Sequence, residues 1–308
     1  MSAKNWVKFF ALGLVWGSSF FWIKIGLQEV GPLHVVFFRV FFALLGLGAF
    51  YLFTRRSFPL RKAWKLYLFL GIFNVALPFF LVSWSETHIT SGMASVLNSM
   101  QPVATSLLAA IFIKEEKLTP QRIAGLVLGF GGVLVLMSNK LGGEMTNEAI
   151  GILAMIVAVF GYGASGVYAR IHNNGVRPED QALGQFILGM FFIIPAMLTF
   201  DSPFTLPVRP VSYLAFAWLG LLGSFFAAIT WYSLMDEIGP ARVSMTTYVF
   251  PLVGVILGAT ILHEPVDWRI LVGGLMILGA IIIVNQKSRR GVTARQTEQL
   301  TKDQVSHE

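Results

Sequence analysis

Two cations stand inside otherwise apolar stretches of this 308-residue chain: Lys24 in WGSSFFWIK, residues 16 to 24, and Arg39 in FFRVFFALL, residues 37 to 45. At the centre of a membrane helix such a residue costs about 2.5–3.5 kcal/mol on insertion scales, so it faces a polar cavity or a partner. Lys24 lies near the end of its run, where its stem could also snorkel to the interface. Arg39 lies deeper, and Glu86 and His88 are candidate partners for it. Trp16, Phe20 and Lys24 share one helical face at i, i+4 and i+8, with Ser19 beside them. Asn98, Gln101 and Thr105 form a polar stripe through Pro102. Asn74 and Trp84, Tyr162 and Tyr168, and Trp231 and Tyr232 add polar or aromatic groups from other runs. Amides at that depth serve either a binding cavity or helix-to-helix hydrogen bonding.

This chemistry is recognition without bond-making. There is no HExxH, no nucleophile paired with a base and no cluster of acids and histidines, which argues against a membrane-embedded enzyme. A GxxxxGK[ST] phosphate loop is also missing, which argues against an ATP-driven motor within the chain. Cys 0 excludes thiol catalysis and thiolate metal sites, and neither a metal nor a cofactor is expected. GLVLGFGGV, residues 125 to 133, contains a GxxxG and reads as a helix-packing surface rather than a phosphate loop.

The elements that must position these groups are membrane helices. The chain is 55% hydrophobic and 13% charged, about half the charge of an ordinary soluble domain, and its mean hydropathy is +0.69. Measured against a span of roughly 20 residues, ten apolar runs emerge: 9–27, 33–53, 66–85, 91–113, 123–138, 150–169, 181–200, 211–234, 243–262 and 270–285. The expectation is an all-α polytopic membrane protein of ten transmembrane helices. The first run has no small-residue cleavage site and reads as a retained helix.

The cations then sort by loop. With the N-terminus inside, eighteen fall on the cytoplasmic side: Lys4 and Lys8, five from Arg55 to Lys65, Lys114, Lys117 and Arg122, Arg170 and Arg177, Arg242, and five from Lys287 to Lys302. Three fall opposite, at Lys140, Arg209 and Arg269. This asymmetry places both termini in the cytoplasm. It accounts for the net charge of +7 through orientation and contact with membrane lipid, without nucleic acid. Residues 287–308 read as a disordered cytoplasmic tail.

The chain also repeats itself. At an offset of 149, Ile89, Ser95, Pro102, Leu108, Ala110 and Glu115 meet Ile238, Ser244, Pro251, Leu257, Ala259 and Glu264. WGSSF, residues 16 to 20, meets FGYGA, residues 160 to 164, at an offset of 144. Residues 1–140 and 141–286 therefore read as two five-helix units. An odd unit inserts its second copy upside down, which is the inverted-repeat signature of secondary transporters. In such folds Pro102 and Pro251, near the middle of spans four and nine, are expected to act as hinges. Each proline inside a helix would remove a backbone hydrogen bond, at roughly 3 kcal/mol in a soluble setting. The counterparts of the polar stripe, Thr247, Phe250 and Gly254, offer a less polar face.

These residues carry a family likeness. WGSSFFWIK, FFRVFFALL, MQPV (100 to 103) with IKEEKLTPQRIAG (113 to 125), and FPLVG (250 to 254) with LHEPVDWRILVGG (262 to 274) follow the order found in EamA-like members of the drug/metabolite transporter superfamily. The chain resembles that family over residues 5 to 286. The resemblance implies ten helices around a central cavity, alternating access and a small-molecule solute such as an amino acid or related metabolite, moved outward across the cytoplasmic (inner) membrane. It leaves open nucleotide-sugar or phosphate-ester carriers, which would want several cations in the cavity. A homodimer is also left open. Gln185 stands roughly where Arg39 stands in the other half, so the two halves would not carry equivalent charges.

Every Asp and Glu falls in a loop, a tail or the edge of a span, and the expectation from that placement is facilitated movement without obligatory proton coupling through a mid-membrane acid. Since the chain has no cysteine, single cysteines report topology directly. A cysteine at Gly142 should react with an impermeant maleimide in intact cells, and one at Ser57 or Ser288 should not. The reverse pattern would contradict the orientation.

Overall fold

A computed structural model describes residues 2–114, 116, 119–138, 146–173, 175–238 and 243–285, except the side chains of Tyr232, Met235, Asp236 and Asn285. Glu115, Lys117, Lys140, Gly142, Arg242, Ser288 and the 287–308 tail therefore lie outside the described residues. Helices occupy all ten expected runs. Eight are long and apolar enough to cross a membrane: α1 Ala3–Gly26, α2 Pro32–Thr54, α3 Trp64–Ser85, α4 Ser91–Phe112, α5 Pro120–Met137, α6 Asn147–His172, α7 Pro178–Phe200 and α8 Pro210–Trp231. The last two apolar helices are shorter, α9 Ser244–Thr260 and α10 Trp268–Val284. Among the described residues every regular element is helical.

Local chemistry sets the starts. Pro32, Pro120, Pro178 and Pro210 open α2, α5, α7 and α8, where a helix has no use for the missing N–H. Thr90, Thr119 and Thr146 cap α4, α5 and α6 by accepting from the N–H of Met93, Arg122 and Ala149. The outward faces are apolar: Leu52, Phe53 and Phe191 are 80%, 89% and 72% exposed, as side chains meeting lipid would be.

Several helices are irregular. α1 is interrupted at Ser18. α3 and α8 carry π-helical turns at Gly71–Ala76 and Trp218–Phe226, a feature that clusters at functional sites. α4 breaks at Ser99 and Met100 and restarts at Gln101, while α9 begins as a tight 3-10 turn, Ser244–Tyr248. Pro102 thus sits in the first turn of a restarted helix and not in the interior of a kinked one. The expected loss of a hydrogen bond does not arise there, because the first N–H groups of a helix have no partner within it. Pro251 likewise falls in the first turn of the regular segment Val249–Thr260.

Polar ties sort the helix ends into two groups. At the end where α1 starts, here the terminal end, Lys8 pairs with Glu237 at 2.7 Å, Arg56 with Glu179, Arg170 with Glu116 at 2.9 Å, and Asp180 with Arg177 at 2.8 Å and with Tyr51. At the distal end Asp201 accepts from the N–H of Leu33 at 3.0 Å and of His34 at 3.3 Å, and Arg209 pairs with Glu29 at 3.0 Å. There too Glu264 accepts from Ser91 N–H and Oγ and from Gly92 N–H. Glu116, hydrogen-bonded by Arg122 and then Arg170, is held below the usual carboxylate range. Its tie is therefore complete at neutral pH and is lost only as pH falls through that lowered value.

Helix α5 packs along α10, α4 along α9, α2 along α7, α1 along α8 and α9, and α6 along α3 and α4. Where backbones approach closely the residue is glycine. A methyl group at Gly132 would lie 2.8 Å from the Gly273 oxygen, and one at Gly273 would lie 2.8 Å from the Gly132 oxygen. Gly125 and Gly129 of the GxxxG face Ala280 of α10. Overpacking of this kind costs about 1–3 kcal/mol. Gly132→Val should therefore lower the melting temperature of the detergent-purified protein by several degrees. Gly48→Ala, with nothing within 4 Å of the added methyl, should leave it unchanged.

Candidate functional site

The irregular turn of α8 is the focus of the expected residues. Trp16 of α1 donates its indole N–H to the Gly223 carbonyl at 2.8 Å, and Arg39 of α2 donates Nε–H to Ser224 Oγ at 3.1 Å. The Ser224 hydroxyl bonds back to Leu219 at 3.0 Å, one residue beyond the ordinary helical reach. Gly223 leaves room for Ser19, whose Oγ would be 3.3 Å from an added methyl. The ring of Trp16 lies 5.3 Å from Trp231 and 6.0 Å from Phe250, which brings α1, α8 and α9 to one place.

Arg39 is 8% exposed, and its guanidinium carbon lies 3.8 Å over the Phe79 ring of α3. A desolvated contact of this kind is worth about 2 kcal/mol. Tyr162 of α6 stands beside Phe79, with ring centres 6.5 Å apart. Among the described residues no carboxylate lies within 4.0 Å of Arg39, and its two terminal nitrogens make no hydrogen bond to a described residue. Glu86 and His88 are not its bonded partners. His88 packs at a tilt against Trp84 with ring centres 4.4 Å apart and shares a hydrogen bond with Thr87.

A second polar knot lies across the bundle. Asn74, in the π-helical turn of α3, donates to Gln185 of α7 at 2.8 Å and accepts from Ser165 of α6 at 3.0 Å. Asn74 is thereby committed to joining helices. Asn98 is not: it ends the first segment of α4, is 8% exposed, and its side-chain oxygen is buried without a partner among the described residues. Gln101, half-buried, supplies its main-chain oxygen to the Thr105 hydroxyl at 2.8 Å, so Thr105 turns back on its own helix.

The remaining expected residues lie elsewhere. Lys24 reaches the carbonyl oxygens of Glu86 and, at 2.8 Å, of Ile89, clamping α1 to the C-terminal end of α3, where a cation is favourable. Trp84 is at the distal end with His88. Tyr168 is at the terminal end, stacked between Phe69 at 3.9 Å and His172 at 4.0 Å. The side chain of Tyr232 lies outside the described residues. A cleft at the terminal end, lined by Phe50, Arg56, Glu179, Ala228 and Ser233 among others, contains none of the candidates.

Two residues of this arrangement escape a reading by sequence, and a third is read there only as a partner for Arg39. Ser224 is a small hydroxyl in an apolar run, and Ser165 is another; only the π-helical turns direct bonds to them. Glu86 follows the last residue of α3 and reads as a span edge, yet its side chain is fully buried.

Comparison with known proteins gives the chain its family. The EamA-like transporter family profile matches residues 6–138 and 149–286. An uncharacterized transporter of Archaeoglobus fulgidus is 24% identical over 286 residues, covering 92% of this chain and all of that protein. The uncharacterized inner membrane transporter YedA of Escherichia coli K12 is 26% identical over 279 residues, covering 89% of this chain and 88% of its own. Protein PecM of Dickeya dadantii is 26% identical over 280 residues, covering 89% of this chain and 90% of its own. A solved structure superposes with a TM-score of 0.66 at 18% identity over 92% of this chain and 98% of its own, a likeness of fold. With ten apolar helices, two profile matches that together span nearly all of them, and relatives aligned along their whole length, this chain is a multi-pass membrane transporter and belongs to the EamA-like transporter family.

Proposed function

We propose that the chain is a secondary carrier that exports small organic solutes, amino acids or related metabolites, by alternating access between two inverted five-helix units, 1–140 and 141–286. The observation that carries the solute reading is Arg39: a buried guanidinium, held by Ser224 and Phe79, with terminal nitrogens that no described side chain occupies. Such a fork is shaped for a carboxylate. Asn98, with an unpaired buried oxygen, supplies an acceptor for a solute donor such as an ammonium.

Packing supports the two-unit reading. If each helix of the first five is exchanged with its counterpart five places on, α1 on α9 becomes α6 on α4, α1 on α8 becomes α6 on α3, and α2 on α8 becomes α7 on α3. The pairs α2 with α7, α4 with α9 and α5 with α10 map onto themselves. The local chemistry follows: a methyl at Gly71 would meet the Gln185 carbonyl at 3.1 Å, and one at Gly220 would meet the Arg39 carbonyl at 2.6 Å. Arg39 on Ser224 thus corresponds to Gln185 on Asn74.

The ties at the two ends are suited to gates. Exposed ion pairs such as Arg56 with Glu179 are worth about 0–1 kcal/mol each, weak enough to break in a transport cycle. The cation asymmetry supports both termini inside, and the relative described as an inner membrane transporter supports a cytoplasmic-membrane setting. A phosphate-ester carrier fits less well, because Lys24 spends its ammonium on main-chain carbonyls and leaves Arg39 alone.

Thermal melting of the purified protein against a metabolite panel identifies the solute by its stabilisation. Arg39→Gln should then reduce uptake into proteoliposomes at least tenfold, with expression and melting close to wild type; an equal loss of folded protein would assign Arg39 to structure instead. Asn98→Ala should reorder the preference among solutes, and an unchanged order would reduce Asn98 to a packing residue.

A further inference from the structure

Glu86 caps the C-terminal end of α3, has no exposure, and has both carboxylate oxygens buried without a hydrogen-bond donor among the described residues. Its own main-chain oxygen takes the Lys24 ammonium, which also bonds the Ile89 oxygen, so the cation brought closest to this end of α3 serves the backbone rather than the carboxylate. Arg39 acts on Glu86 only across space: among the described residues the two form no ion pair within 4.0 Å, and the Arg39 guanidinium lies on Phe79 with its Nε–H on Ser224.

The other groups around it offer nothing better. Lys24 from α1, Arg39 from α2 and Glu264 from the α9–α10 connection are the charges that act on Glu86 across the bundle. Glu264 is already held by the N–H groups of Ser91 and Gly92 and the Ser91 hydroxyl. His34 of α2 is bound to Asp201 and to Thr205, and His88 lies on Trp84. Helix α6, packed on this end of α3, carries Glu148 in its first turn and Tyr162 deeper. An ionised carboxylate buried without a donor costs several kcal/mol, whereas the neutral acid escapes most of that penalty.

We infer that Glu86 is a proton-binding site, loaded while the distal end is closed and emptied when that end opens. The inference rests on the carrier reading for its purpose and on the orphaned carboxyl for its chemistry. The step is a simple ionisation: the carboxyl O–H breaks, the proton passes to water admitted at the distal end, and the carboxylate that remains is free to face the ammonium of Lys24 once its clamp on the carbonyls is released. Acids at span edges in the sequence favour proton-independent movement; the burial of this one points to movement linked to protons.

Two solute-free measurements on the full-length protein test it. Infrared spectra at neutral pH should show a protonated-carboxyl C=O band that disappears in Glu86→Gln and persists, shifted, in Glu86→Asp. Val30→Cys then reports opening, since Val30 is 6% exposed at the distal end. Its maleimide labelling rate in the native background, divided by the rate in the Glu86→Gln background, should rise several-fold from acid to alkaline buffer, the division removing the thiol's own titration. If Glu86→Gln does not fold, Glu86→Asp serves as the comparison and should shift the pH at which the ratio changes. A wild-type spectrum without a band that depends on Glu86, or a labelling ratio independent of pH, would overturn the inference. Because neither readout uses a solute, either failure would leave the carrier reading standing, and a failure to find a transported solute would leave this one standing.

Discussion

Inside a bilayer no water is available to a backbone N–H or C=O, so each must find its partner within the bundle. Ten helices meet that demand along most of their length, and the rest of this structure is organised by the places where they do not. The π-helical turn of α8 and the C-terminal end of α3 leave backbone carbonyls for side chains to reach. Side chains from neighbouring helices are drawn to them: the Trp16 indole goes to the Gly223 carbonyl, and the Lys24 ammonium goes to the carbonyls that end α3. At the distal end the N–H groups that begin α2 and α4, which have no partner within their own helices, are taken by Asp201 and Glu264, carboxylates from the other half of the chain.

Those same places carry the candidate chemistry. Arg39 reaches the π-helical turn of α8 with one nitrogen and keeps its fork unoccupied. Glycines at positions such as Gly71 and Gly220 let backbones approach closely enough for short polar side chains to bridge them. The carboxylate-to-amide ties between halves are charge-assisted and directional, yet few in number. A structure held this way has close packing along α5 on α10 and polar ties at its two ends, the arrangement on which the proposed alternation rests.

Much of this was legible in the sequence, for identifiable reasons. Span length is a one-dimensional property, so all ten runs could be read directly, while their proline and threonine starts came from the structure. Arg39 stood out because a charge in an apolar run needs a cause, and its counterpart Gln185 emerged from the repeat. What escaped was direction. Asn74 and Lys24 looked like cavity residues, but the first bridges Gln185 and Ser165 and the second clamps α3, and no helical spacing tells a free polar group from a committed one. Pro102 looked like a kink and proved to be a first-turn residue, since the break falls at Ser99 and Met100, ahead of it. Glu86 was read as a span-edge partner for Arg39, and only its full burial was hidden by its position, since a residue one step past a helix can point outward or inward.

The central claim is that the two ends open in alternation. It is tested most directly by pulsed electron-spin distance measurements on two labelled pairs, Thr87 with Thr205 at the distal end and Ser57 with Asn173 at the terminal end, all four residues being exposed. Across a panel of solutes and pH values, the account predicts two distance populations for each pair, with every condition that enriches the long distal distance depleting the long terminal one. Distances at the two ends that lengthen together, or that stay single and fixed under every condition, would contradict it.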